Sequence, residues 1–140
     1  MIDLIQFPGG GTSNEEHVTA AFFKAQRRIN EERAKAACEA REAMTVLTAV
    51  MAGGSGQSYK VRALLFSLWN GKAASLLDVI DLDFDIRKQV VAVILGFGHP
   101  KFFYDQIQQP LVAANLWPWF LREGDCELSA RRGFHLPQAP

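Results

Sequence analysis

Cysteine is scarce in this chain, and histidine nearly so. The only two cysteines, Cys38 and Cys126, stand far apart with no second pair and no neighbouring histidine, which indicates neither a zinc site nor a disulfide framework. His17, His99 and His135 fall on a helix start, a turn and a tail, with no Cys, Asp or Glu at ligand spacing on an adjacent turn. No metal and no other cofactor is expected. Net charge is lacking as well: 15 Lys plus Arg balance 15 Asp plus Glu, so no overall field draws in a nucleic acid or an acidic membrane. No apolar run reaches the ~18 to 20 residues of a membrane-spanning helix. The opening MIDLIQFPGGG carries Asp3 and no basic residue, unlike a secretory signal. A cytoplasmic protein without a membrane is the expectation.

Sites with a recognisable grammar are missing too. Gly53-Gly54-Ser55-Gly56-Gln57-Ser58 has the look of a phosphate loop but lacks the Gly-Lys-Ser/Thr ending and follows a helix rather than a strand. The run Asp81-Leu82-Asp83-Phe84-Asp85 alternates carboxylates as a calcium loop does, yet its sixth and twelfth positions are Ile86 and Ala92, where Gly and a bidentate Glu are needed. There is no Gly-x-Ser-x-Gly elbow. The best enzyme constellation, His99 with Tyr104 and Asp105, reads more simply as turn chemistry. Tyr59 to Asn70 and Phe84 to Leu95 lie a dozen residues apart, and the second is too apolar to read bases, so a helix-turn-helix is not indicated. The chain is expected not to be an enzyme.

What is present is helical pattern. Hydrophobic residues make up 49% of the chain, with ten Phe and three Trp, enough for a folded domain. In YKVRALLFSLWNG, Val61, Leu64, Leu65, Leu68 and Trp69 share one side of a helix over Tyr59 to Asn70. Ser58 is placed to cap its start and Asn70-Gly71 to close its end. Upstream, Pro and Gly are absent from Asn14 to Met51. That predicts one long helix opened by a Ser13–Glu16 capping box, or two helices if the chain breaks near Asn30. A seam passes through Val18, Phe22, Ala25, Ile29, Ala36, Ala43 and Val50, interrupted by Glu32 and Glu39. Its alanines, with Ala37 and Ala40, suit close helix contact within the chain or across a homodimer, and the dimer is favoured here. Cys38 is expected to act as a small apolar side chain among them.

Downstream, Asp83 is placed to cap a helix over Phe84 to Leu95, whose second half, Val90 to Leu95, is apolar on every side and is expected in the middle of the core. Gly98-His99-Pro100 is a joint. Lys101 to Gln109 reads as one short helix, and Pro110 as the start of another through Asn115. Trp117, Trp119 and Phe120, with Phe102, Phe103 and Tyr104, are aromatic enough either to close the core or to meet a partner protein.

Gly56-Gln57-Ser58, Val61, Leu64-Leu65, Leu68-Trp69-Asn70-Gly71 and Leu82-Asp83 resemble a family of uncharacterised small bacterial domains carried on plasmids, phages and integrative elements. In that family a Gly-Gln-Ser start precedes a helix ending in Tyr-Asn or Trp-Asn, and a Leu-Asp pair follows. The resemblance covers about Gly56 to Phe97 and implies a mobile-element accessory protein without bringing an activity.

The expected architecture is all-α: an extended segment 1–12, a long helical arm 13–52, a linker 53–58, a compact block 59–123 of four or five shorter helices, and a tail 124–140. The expected function is contact with another protein, for example inhibition of a host-defence complex. The alternative is a DNA- or RNA-associated regulator using Lys24, Arg27, Arg28, Arg33, Lys35 and Arg41 on the arm.

Overall fold

The computed structural model describes residues 11–122, with side chains from Glu15 onward. Residues 1–10 of the extended segment, and the tail with Cys126 and His135, lie outside the described residues. The helix has already begun at Gly11, so Ser13 falls inside α1 rather than at its N-cap, and the arm starts two residues earlier than its sequence indicates. Among the described residues six helices follow one another: α1 (Gly11–Ala52), α2 (Gly56–Asn70), α3 (Leu76–Ile80), α4 (Phe84–Gly96), α5 (Tyr104–Ala113) and α6 over 117–122. Among the described residues there is no strand, and a single isolated bridge joins His99 to Phe102. The fold is all-α, and α1 runs through Asn30 without a break.

Two units divide the chain after Arg33. In the first, the described element is the opening stretch of α1. The second holds the rest of α1 and every other helix.

The second unit is built round α2. Ser58 and every residue from Val61 to Ser67 are buried, so this helix is covered on more than the single side its spacing indicates. It packs against α3, α4 and α5. From α1 the core takes Ala37, Ala40, Ala43, Met44, Leu47 and Met51. The seam through Ala36, Ala43 and Val50 therefore runs along the edge of the buried stripe, about one position off its centre. A strict seven-residue repeat drifts ~20° per heptad against a straight 3.6-residue helix, and the drift accumulates. Cys38, one position past Ala37, is exposed rather than packed. The alanine stripe, read as a dimer contact, is occupied by the chain itself.

The contact with α4 depends on small side chains. A Cβ placed on Gly96 would lie 2.5 Å from the Ala40 Cβ and 2.6 Å from the Ala36 carbonyl oxygen, so α1 and α4 touch at backbone distance. Between α1 and α2 the glycine-rich run forms a hydrogen-bonded turn. Ser55 is the N-cap of α2, accepting from the Ser58 N–H at 3.3 Å, while the Ser58 hydroxyl accepts from the Ser55 N–H at 3.0 Å and donates to the Val50 carbonyl. The cap thus falls three residues earlier than Ser58, which serves as its reciprocal partner at the third helical position. At the other end Gly71, at φ 76°, closes α2 as its Asn-Gly ending indicates.

Leu76–Ile80 is a short helix capped by Ser75. One further boundary differs from the sequence reading. Lys101 to Phe103 turn instead of coiling, and α5 then continues through Pro110. Ile107 and Leu111 flank that proline and are both fully buried. Burying two such side chains contributes about 3–6 kcal/mol, enough to offset the ~3 kcal/mol of an interior proline.

Gly96→Ala isolates the backbone contact. Helix propensity favours alanine by about 1 kcal/mol, whereas the clash with Ala36 and Ala40 forces α1 away from α4. The expected net result in urea unfolding is a loss of about 1–3 kcal/mol; a gain in stability would show that the two helices do not meet here.

Candidate functional site

The aromatic residues nominated as a partner surface divide into inside and outside. Phe102 and Phe120 are completely buried and have no surface to offer. Trp117 and Trp119 are half-buried against the core. Trp117 meets Trp69 edge-on at 5.0 Å and stacks on Phe120 at 5.3 Å. Only Phe103 and Tyr104 are exposed, and they contact each other and Phe97. This cluster closes the core.

The polar candidates are engaged in local structure. The His99 Nδ1 accepts from the Lys101 N–H at 3.1 Å, which fixes the turn before α5. No three His, Cys, Asp or Glu among the described residues lie close enough to hold a metal ion. Asp83 stands at the start of α4 without a side-chain capping bond, and its N–H donates to Gln57 Oε1 at 3.0 Å, tying α4 to the start of α2. Arg62 is buried with its guanidinium between two rings, 4.7 Å from the Tyr59 centroid and 4.5 Å from that of Trp119.

The six arm cations, Lys24, Arg27, Arg28, Arg33, Lys35 and Arg41, are all exposed. They do not form a surface of one sign. Lys24, Arg28, Glu31, Lys35 and Glu42 recur at helical spacing along one face, so carboxylates sit within the would-be phosphate track.

The prominent surface is one the sequence reading placed in the core: the outer side of α4. Val90, Val93 and Gly96 are buried, but Leu95 is 71% exposed, Phe84 65% and Ile94 48%, and Val91 is exposed as well. Two stripes explain this. Ile86, Val90 and Val93 face inward at i, i+4 and i+7, while Phe84, Val91 and Leu95 recur at i, i+7 and i+11 on the opposite side. An α-helix apolar on two faces has more to cover than one small core supplies, and that excess was the available signal.

A groove of about 430 Å³ lies between this outer stripe and α1, with Ala36, Glu39, Phe84, Lys88, Val91 and Leu95 among its walls. A second, of about 420 Å³, runs along the other flank of α4 beside Leu76, Val79 and Ile94. On α3, Leu76, Leu77 and Ile80 are exposed too. The Arg87 guanidinium donates to the Ile80 carbonyl at 2.6 Å and the Leu82 carbonyl at 3.2 Å, which fixes α3 beside α4. The Lys88 ammonium stands 5.2 Å from the Phe84 ring and 3.9 Å from the Asp85 carboxylate. The surface is a ridge with an apolar groove on either side and a few charges at its rim.

A family of unknown function, DUF7673, matches residues 41–116, more than half of the chain. The chain belongs to that family. The family block runs from the second half of α1 past the end of α5, so it contains the whole α4 ridge. It leaves out the first unit and α6. No curated protein and no solved structure matches the chain.

Arg62→Met tests what the stacking of this guanidinium contributes. The variant keeps the length of the side chain and removes the stacked charge. A loss of about 1–2 kcal/mol is expected, on the scale of two partly desolvated cation–π contacts. Thermal unfolding with a loss of Trp119 fluorescence environment is the readout; an unchanged midpoint would remove the sandwich from the list of stabilising contacts.

Proposed function

We propose that this protein works by contact rather than catalysis: a non-enzymatic interaction module acting in the cytoplasm, whose docking face is the outer side of α4. The observation that carries the reading is the exposure of Phe84, Val91 and Leu95 in one stripe beside an apolar groove. Contiguous exposed apolar side chains with a polar rim mark binding surfaces in soluble domains. The shape fits an amphipathic helix of the partner, which would lay large side chains at i, i+3 or i+4 and i+7 into the groove. The resemblance of the Gly56 to Phe97 block supports a mobile-element accessory protein, and a host protein complex is then the proposed target. The nucleic-acid alternative is the weaker reading, because glutamates interrupt its basic face.

The test compares the full chain with Phe84→Ser/Leu95→Ser as bait in a native host extract, with mass spectrometry of what is retained. Both residues are exposed, so stability should change by no more than about 0.5 kcal/mol each. A partner held by the unsubstituted chain and bound at least ~30-fold more weakly by the double variant is expected, equivalent to about 2 kcal/mol of hot-spot contact. Equal retention by both baits would refute the docking face. Retention of nucleic acid that falls steeply with salt would move the function to the arm cations.

A further inference from the structure

We infer that Val18, Phe22, Ala25 and Ile29 on α1 are the contact through which two copies of this chain pair, helix against helix and antiparallel. This surface is distinct from the α4 ridge, and the inference does not rest on the proposal made for that ridge. The four residues recur at spacings of four, three and four, the rhythm of successive d and a positions in a heptad. Val18 is 67% exposed, Phe22 60% and Ile29 48%. Among the described residues, α1 is the only element of their unit. A single helix in water gains nothing by presenting a wet apolar seam, and a helix partner is what such a seam fits.

Charge selects the partner's direction. With Phe22 and Ile29 at a, and Val18 and Ala25 at d, Arg28 occupies g and Arg33 occupies the following e. In a parallel pair the g residue of one copy meets that e residue of the other, so Arg28 would oppose Arg33 twice in the dimer. Reversing one helix removes both repulsions. Arg28 then lies across from Ala21, and Gln26 across from Thr19. The core becomes four apolar layers, Val18 on Ile29 and Phe22 on Ala25, each made twice. Glu15 and Glu32, the next residues outward on the seam, end it on both sides. Four layers are short beside a standard interface of about 1,600 Å², so the pair is reversible, with dissociation on the order of micromolar.

Sedimentation velocity of the full chain from about 1 to about 200 μM should show a concentration-dependent shift from monomer to dimer, in the range where micromolar self-association is visible. Phe22→Glu and Ile29→Glu should each weaken the dimer at least ~10-fold with helix content unchanged by circular dichroism. Leu95→Glu, on the other surface, should leave it as it was. Direction is read by cross-linking in a Cys38→Ser/Cys126→Ser background. Val18→Cys mixed with Ile29→Cys should give the mixed disulfide in preference to either self-linked pair. A chain that stays monomeric throughout, a dimer indifferent to Phe22→Glu, or self-linkage of Val18→Cys in preference to the mixed product each overturns the inference.

Discussion

The second unit depends on how closely α1 can approach α4. At Gly96 the two backbones meet with no room for a side chain, over the one-carbon side chains of Ala36 and Ala40. This contact has two consequences. It lets α1 enter the core as an outer wall while Met44, Leu47 and Met51, further along the same helix, supply bulk where the core thickens. It also means that α1 offers little height beside α4. Alanine covers only a small apolar area, so the large side chains on the far flank of α4 rise past it with nothing to lean on. The groove beside Phe84, Val91 and Leu95 is the space those short side chains leave.

Local signals in the sequence were reliable where the chemistry is local. Asn70-Gly71 ended α2 because a left-handed residue is needed there and glycine adopts it freely. The uninterrupted run before Gly53 became one helix because nothing in it breaks a hydrogen-bond ladder. Capping was harder to read: Ser55 and Ser58 both have the right chemistry, and the choice between them was made by the part-buried Val50 carbonyl that Ser58 reaches across eight residues. Pro110 was misread for a similar reason. Its effect on the chain is set by Ile107 and Leu111, whose burial is a tertiary fact.

The α4 ridge was illegible for a different reason. Composition shows how apolar a helix is but not how many neighbours it will have. Val90 to Leu95 reads as a helix for the middle of a core. Among the described residues α1, α2 and α3 stand around α4 and cover one side of it, and the remainder becomes surface. The aromatic cluster shows the converse: Phe102 and Phe120 are candidates for an interface by residue type, yet α2 and its neighbours enclose them. Residue type sets the capacity to bind, and the count of packed neighbours decides whether that capacity is spent inside the fold.

Folding alone gives no reason for Leu95, Phe84 and Leu76 to be large and apolar. A side chain that is mostly in water contributes little to the stability of the folded chain, and a polar residue at the same place would fold as well. Exposed apolar stripes also invite unwanted association. The buried stripe of α1 from Ala37 to Met51, which runs beside the seam, is explained by the core it builds. The seam residues Val18, Phe22 and Ile29, exposed among the described residues, are accounted for on the proposals above by a second copy, and the ridge by a partner. Here the grooves are lined mainly by alkyl and aromatic side chains, the buried arginine is stacked between rings, and His99 is committed to its own turn. On the contact reading proposed above, what these surfaces contribute is exclusion of water when another surface lies down on them.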